Sequence, residues 1–187
     1  MNSKQGATLA LVVCLIVVAL AAGAFLSTPS ANVVTYNVPA SAVHASLGAT
    51  ASDGTIALRL NGISDASNPA VSSAWVTFNV ESGLYNFSLT PPPASRYLVA
   101  NVTITNVGST KIPFDYGDFV LIAHDGTAYY ANYAVCNTGC SAQAFANRTL
   151  NESFSSDMYV LFSVPTGTQS ALIAYTGANP PIVLSST

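Results

Sequence analysis

Charged side chains are scarce in this 187-residue sequence. Asp, Glu, Lys and Arg make up 7% of it, against about 25% in an average soluble domain. Five residues are Lys or Arg and the formal net charge is -3, so the chain has no basic stripe to neutralise phosphates, and nucleic acid is excluded as a partner. The composition indicates a secreted, hydroxyl-rich β-protein. A surface adapted to acid is the alternative, because few carboxylates mean little change of charge at low pH.

Motifs of catalysis and cofactor binding are also missing. The sequence has no G-x-S-x-G elbow and no glycine loop that would cradle a phosphate. Asp115, Asp118 and Asp125 do not have the spacing of a known calcium loop. His44 and His124 lie in unrelated segments, and no histidine with a carboxylate is placed to activate a serine. We therefore expect no enzyme activity, no cofactor and no metal site.

One long apolar run is present, at the N-terminus. Lys4 supplies a positive charge, Leu9 to Ala21 carry none, and Ala22-Gly23-Ala24 has the small residues that a signal peptidase reads. Residues 1–24 are therefore predicted to be a signal peptide, and the protein to be secreted to the cell surface or beyond. A retained apolar helix reaching residue 26 is the alternative, since about 20 residues span a bilayer. Contact with the membrane is expected only through this segment.

A third interpretation of the same run is a type IV pilin-like subunit that polymerises through an apolar helix. The segment Lys4-Gln5-Gly6-Ala7 loosely resembles the archaeal processing site for such proteins. Pro29 argues against it, because pilin helices continue past this point and proline breaks a helix.

The remainder of the chain alternates short strand-like segments with turn residues, and no segment has the pattern of a long amphipathic helix. Asp125-Gly126, between two apolar segments, is a hairpin signal. Many strands at regular spacing predict an all-β fold, a two-sheet β-sandwich over residues 55–187. The predicted strands are 55–63, 71–80, 84–90, 96–107, 118–123, 127–135, 142–150, 157–164, 170–176 and 181–185. Ten residues are predicted to contribute to its core: Val99, Val102, Ile104, Phe119, Leu121, Tyr159, Leu161, Phe162, Leu172 and Ile173.

Residues 25–54 are predicted to form a tail ahead of that domain. Within it, residues 32–38 have strand periodicity, with Val34, Tyr36 and Val38 on one face. Residues 39–54 are small and polar, and a connection of this length without structure is unusual inside a compact domain. We therefore expect a flexible linker, and a strand that serves outside its own sandwich.

A family resemblance is carried by three stretches of sequence, Tyr97 to Gly108, Phe119 to Tyr130, and Met158 to Tyr175. Together they resemble the uncharacterised immunoglobulin-like domain of bacterial and archaeal surface lipoproteins over about residues 96–176. The resemblance implies an immunoglobulin-like β-sandwich and leaves function open.

Two kinds of covalent modification are predicted. Cys136 and Cys140 bracket a three-residue loop and are expected to form a disulfide in an oxidising exterior. Half of a metal site and two free thiols are the alternatives. Four sequons predict N-linked glycans: Asn86, Asn101, Asn147 and Asn151.

The spare N-terminal strand suggests a function. An amphipathic strand tethered to a sandwich can complete the open sheet edge of another copy, as in donor-strand complementation. Such a contact is head-to-tail, and its repetition gives a filament. The arrangement resembles the extracellular threads of thermoacidophilic archaea, which implies a self-assembling, adhesive surface filament. The alternative is a secreted or anchored monomer in which residues 32–38 pair within their own sandwich and the domain binds a ligand or surface partner.

Overall fold

The computed structural model describes residues 34–67, 70–74, 89–136 and 149–187. In these ranges the chain forms two main sheets, so the predicted two-sheet β-sandwich is confirmed. The signal segment 1–24, its extension to residue 26, and most of the predicted strands 84–90 and 142–150 lie outside the described residues. The strands are β1 Val34–Thr35, β2 Val43–Ala45, β3 Thr50–Ser52, β4 Ile56–Asp65, β5 Ser95–Asn106, β6 Ile112–Pro113, β7 Phe119–Ala123, β8 Thr127–Tyr130, β9 Tyr133–Cys136, β10 Thr149–Leu150, β11 Ser155–Pro165, β12 Ser170–Tyr175 and β13 Ile182–Ser185.

Neighbouring strands in both main sheets are mostly antiparallel. One has six strands in the order β1-β8-β7-β12-β13-β2, and the other has five in the order β3-β4-β5-β11-β9. Strands β6 and β10 form a separate two-stranded ribbon. Among the described pairs, only β2 with β13 is parallel.

The five-stranded sheet is built around its longest pair, β5 with β11. Their register runs from Ser95 opposite Pro165 to Thr105 opposite Ser155. On β5, Val102 and Ile104 are buried while Asn101, Thr103 and Thr105 are partly exposed. This alternation of apolar and polar residues is what a strand with one face in the core requires.

The main core lies between the two sheets. Phe119 and Leu121 of the six-stranded sheet and Val102 and Ile104 of the five-stranded sheet belong to one buried cluster. Phe162 and Ile173 also lie in it. The other predicted core residues are elsewhere: Val99, Tyr159 and Leu161 form a second cluster, and Leu172 is only partly buried against a third.

Turn chemistry explains two of the connections. The Asp125-Gly126 hairpin joins β7 and β8 as predicted, with Gly126 at φ 83 and the Asp125 carboxylate accepting a hydrogen bond from the Thr127 N–H at 2.9 Å. Asn106 ends β5 and is 1% exposed. Its Nδ2 donates to the carbonyls of Thr110, Leu150 and Asn151, and its Oδ1 accepts from the Gly108 N–H. The side chain thereby fixes two loops to each other.

The prediction of a flexible linker over 39–54 is wrong. β2 pairs with β13 and β3 pairs with β4, while Val43, Ala45 and Ala51 pack on the main core. The sandwich therefore begins well before residue 55, and residues 34–187 form one compact unit. Strands of three residues are too short to show a periodicity, and they persist because their neighbours complete the hydrogen bonding.

The prediction of a strand over 71–80 is also wrong where the structure describes it, because residues 70–74 are helical. A signal for this was present. Asn68-Pro69 directly precedes the segment, and Asn followed by Pro is typical of a helix start.

Candidate functional site

The N-terminal segment that was predicted to be a donor strand lies on the six-stranded sheet of its own chain. β1 pairs antiparallel with β8 through two residues, Val34 opposite Ala128 and Thr35 opposite Thr127. From Thr35 onward, Thr35 and Asn37 are exposed while Tyr36 and Val38 are half-buried. The alternation predicted from the sequence is therefore present in this part of the segment.

The same segment then crosses the sheet from one edge to the other. A turn follows, closed by a hydrogen bond of 3.0 Å from the Ala42 N–H to the Pro39 carbonyl, and Val43 donates to the Pro181 carbonyl at 2.8 Å to begin β2. β1 and β2 are the two edge strands of the sheet, and five strand spacings amount to about 24 Å. Eight residues from Thr35 to Val43 reach at most about 26–29 Å. We call residues 34–42 the strap, because they connect the two edge strands across the outer side of the sheet.

Beneath the strap is an apolar surface on the outer side of the six-stranded sheet. Tyr36, Val38 and Ala42 pack against it, together with Leu172. Its members come from four adjacent strands, and we call them the outer cluster: Val120, Ile122, Ala128, Ala174 and Val183. All five are buried. Burial and the neighbouring Tyr130 raise the pKa of the Tyr36 phenol, which agrees with a ring lying on this surface.

The strap is held weakly compared with the domain. The main-chain pairing of β1 with β8 extends over two residues and contributes about 0.5–1.5 kcal/mol for each hydrogen bond. The partial burial of Tyr36 and Val38 adds about 1 kcal/mol for each side chain. The sum is smaller than the total stability of a typical domain, about 5–15 kcal/mol. A segment with so few attachments can open while the remainder of the sandwich stays folded.

Sequence reasoning identified the strap but missed the surface under it. The missed signal is the run Phe119-Val120-Leu121-Ile122, in which every residue is apolar. Such a run is typical of a strand buried on both faces, whereas a strand with one solvated face alternates. All five residues of β7 are buried.

Three of the predicted covalent sites, Cys136, Asn101 and Asn151, lie in the described residues, and none of them belongs to a strand of the six-stranded sheet. Cys136, at the end of β9, is disulfide-bonded. Cys140, its predicted partner, lies outside the described residues, so the pairing of these two thiols stays a prediction. Asn101 lies in the middle of β5, where its Oδ1 is 3.3 Å from the Asn61 Nδ2, and Asn151 is exposed on a turn. Asn86 and Asn147 lie outside the described residues, and occupancy of all four sequons stays a prediction.

A second feature is an open cavity of about 220 Å³ with Asp115, Asp118, Tyr175 and Gly177 in its wall. Burial raises the pKa of Asp118, and the Asp115 carboxylate adds to the shift. Burial, and then Asp118, raise the pKa of the Tyr175 phenol. A Cβ on Gly177 would lie 2.6 Å from Asp118 Oδ2 and 2.7 Å from the Tyr175 hydroxyl, so only glycine fits between them.

This cavity does not have the composition of a catalytic or metal site. Within the described residues, no group of three or more His, Cys, Asp and Glu side chains is arranged to hold a metal ion. Asp115 and Asp118 accompany the Tyr175 phenol, and the raised pKa of this phenol disfavours the phenolate that could act as a nucleophile. The strap and its surface remain the better candidate for a functional site.

A comparison with protein-family models gives one match, over residues 47–182, to a family described as a domain of unknown function, DUF4352. The chain belongs to this family. The match contains the whole of residues 96–176, on which the resemblance to immunoglobulin-like surface domains depended. No curated protein matches the chain significantly.

Solved structures with a similar fold come from several bacteria. The secreted protein MPT63 of Mycobacterium tuberculosis is 12% identical with a TM-score of 0.50, and the alignment covers 79% of this chain and 99% of that one. An uncharacterised β-sandwich protein of Clostridium difficile 630 is 8% identical, with coverages of 81% and 99% and a TM-score of 0.48. The putative lipoprotein ycdA of Bacillus subtilis is 15% identical, with coverages of 67% and 32% and a TM-score of 0.38. The likeness to MPT63 shows the fold alone.

Across residues 34–67, 70–74, 89–136 and 149–187 there is no helix that is long and apolar enough to cross a membrane. The apolar run at residues 9–26 is not part of these ranges.

Proposed function

We propose that this protein is an exported structural subunit of an extracellular filament. Copies join head to tail when the N-terminal strand of one inserts into the sandwich of the next. The observation that carries the proposal is the strap, which begins with a two-residue edge strand and lies on an apolar sheet surface. Main-chain pairing at an edge, with alternate side chains in apolar sites, is how strand addition joins proteins.

The geometry of this contact leads to a chain of subunits. The donor is an N-terminal strap and the acceptor is a sheet surface, so the two halves of the contact are different parts of the molecule. A heterologous contact of this kind does not close upon itself unless the rotation between copies happens to complete a ring. Repetition therefore extends the assembly in one direction.

Three observations support a location outside the cell. The apolar run that follows Lys4 has the form of an export signal. Cys136 is disulfide-bonded, and disulfides persist mainly in oxidising compartments. MPT63, which shares the fold, is described as a secreted protein.

Sedimentation velocity of the mature chain over a range of concentrations tests the proposal. We expect large, polydisperse species for the natural sequence and monomers for Val38→Asp, which sets a charge against the outer cluster. Asn37→Asp is the matched control, because Asn37 is exposed beside Val38 and its charge should leave assembly intact. A natural sequence that stays monomeric at every concentration and at both acidic and neutral pH contradicts the proposal.

A second candidate function is a secreted or membrane-anchored monomer that binds a ligand or surface partner. The pairing of β1 with β8 of the same chain supports it. The two candidates differ in whether the strap ever leaves its own sandwich, and the sedimentation experiment distinguishes them.

A further inference from the structure

We propose that the acceptor for the strap of a second copy is the surface that each chain's own strap covers, namely the β8 edge together with the outer cluster. A free subunit is then self-capped, and assembly exchanges an intramolecular strap for an intermolecular one. This inference rests on the proposed function and adds the identity of the acceptor, which the sequence does not give.

The first step is that the surface is already shaped for this segment. β8 pairs with β1 in a defined register, with Thr35 opposite Thr127. Three side chains of the strap, Tyr36, Val38 and Ala42, pack on the outer cluster. A second copy carries the identical segment, so it can make the identical contacts.

The second step is that the surface needs a cover. Val120, Ile122, Ala128, Ala174 and Val183 are apolar residues from four neighbouring strands, and they are buried with the strap in place. An apolar patch that spans four strands is unfavourable when exposed to water. A subunit that gives its strap to a neighbour is therefore stabilised by receiving one in return.

The third step is a hinge. The turn Pro39–Ala42 forms the C-terminal end of the strap and leads into β2, and Pro39, Ala40 and Ser41 are exposed. Opening this turn would turn the strap outward while β2 stays paired with β13. Since the exchanged contacts equal the intramolecular ones, the balance between the two states is set chiefly by concentration, as in domain swapping.

Single cysteine substitutions placed on either side of the β1–β8 pair test the acceptor directly. Residues opposite each other in antiparallel strands have Cα atoms about 4.5–5.5 Å apart, which a disulfide bridges. Thr35→Cys and Thr127→Cys chains are mixed in equal amounts, allowed to assemble and oxidised. Thr50→Cys is the matched control acceptor, because Thr50 is exposed on β3, an edge strand of the other sheet.

We expect Thr35→Cys to crosslink to Thr127→Cys between chains and not to Thr50→Cys. We also expect the double substitution Thr35→Cys/Thr127→Cys, oxidised as a dilute monomer, to crosslink within one chain and to lose assembly, and reductant to restore it. Thr35→Cys alone, treated in the same way, controls for reduction of the natural disulfide.

The remaining outcomes separate the two proposals. Assembly with crosslinks to Thr50→Cys, or assembly without crosslinks to Thr127→Cys, overturns the acceptor and leaves the filament intact. A closed dimer crosslinked between Thr35→Cys and Thr127→Cys supports the acceptor and overturns the filament. Crosslinks confined to single chains at all concentrations overturn both.

Discussion

The outer side of the six-stranded sheet differs in chemistry from one part of the outer side of the five-stranded sheet, the part around Asn101 and Thr103. On the six-stranded sheet, β7 turns Val120 and Ile122 outward, and the strap covers them. On the five-stranded sheet, β5 turns Asn101 and Thr103 outward. Asn61 Nδ2 is 2.9 Å from Thr103 Oγ1, and Thr103 Oγ1 is 2.5 Å from Asp157 Oδ1. We call this second region the polar face.

The difference shows what each face requires. Side chains of the polar face hydrogen-bond one another and remain partly exposed, so this part of the sheet needs no further layer. Next to it on the same side of β5, Tyr97 and Val99 are buried in a cluster that includes Val71 and Ala74. The outer cluster has no polar groups to offer water and requires a third layer, which the strap supplies. The polar face is therefore complete without a cover, whereas the outer cluster depends on a segment that another copy also carries.

The largest effect is expected from a charge placed under the strap. Val120→Asp should destabilise the domain by about 3–5 kcal/mol or prevent folding, because the carboxylate is buried without a partner. Thr105→Asp is the matched change beside the polar face and should cost under about 1 kcal/mol. Urea unfolding of both variants measures the difference. Equal losses would mean that the two faces do not differ in burial as described.

A smaller difference in stability is expected between the loss of a buried hydrogen-bonding side chain and the loss of a partly exposed one. Asn106→Ala leaves the carbonyls of Thr110, Leu150 and Asn151 without their donor, so we expect a loss of about 2–3 kcal/mol. Asn61→Ala on the polar face should cost only about 0.5–1 kcal/mol, because water replaces its partners. Denaturant midpoints report both values, and a costlier Asn61 variant would contradict this ranking.

A third change weakens the strap itself. Tyr36→Ala removes a half-buried ring from the outer cluster, and the monomer should lose about 1–2 kcal/mol. Thr35→Ala, at the exposed neighbouring position, should change stability by less than about 0.5 kcal/mol. Hydrogen exchange adds a local readout, because Tyr36→Ala should speed exchange of the β8 amides. Unchanged exchange there would show that the strap does not protect β8.

The smallest effects are expected from two aspartates with opposite pKa shifts. Burial and Asp115 raise the pKa of Asp118, so its contribution to stability is present below its ordinary pKa and is lost as pH rises through the raised value. Burial opposes the shift at Asp53, but hydrogen bonds from the Ile56, Thr55 and Asn179 N–H groups outweigh it and lower the pKa. The Asp53 contribution is present above its ordinary pKa and is lost as pH falls through the lowered value.

Unfolding curves at several pH values test these signs. Asp53→Asn should be less stable than the natural sequence at neutral pH, and the difference should shrink on acidification. The free energy of unfolding of Asp118→Asn should increase relative to that of the natural sequence as pH rises from acid to neutral. Either trend in the reverse direction would contradict the assignment of that carboxyl group.

The fold was predictable where an alternation of apolar and polar residues or a turn signal lies within one continuous stretch of sequence. Alternation over Val102 and Ile104 indicated a strand with one buried face, and Asp125-Gly126 indicated the hairpin. The path of the strap was not predictable, since it depends on which strands form the edges of the six-stranded sheet. The pairing of β2 with β13 joins residues 43–45 to residues 182–184, and no local pattern reports a contact so distant in sequence.

Of the candidate site, the strap was predictable and the surface under it was not, because that surface is assembled from residues distant in sequence. The alternation of Tyr36 and Val38 identifies the segment, but its target consists of residues from four strands. Asn106 shows the same limit. The residues Asn106-Val107-Gly108 are typical of a turn, whereas the hydrogen bonds from Asn106 to Leu150 and Asn151 depend on the folded loops.

Electron microscopy of the purified mature protein tests most directly whether the strap links one subunit to the next. We predict thin filaments with a regular subunit repeat for the natural sequence, and discrete particles of single-domain size for a chain with residues 34–38 deleted. Discrete particles for both chains, under conditions in which the natural sequence is folded, would contradict the account.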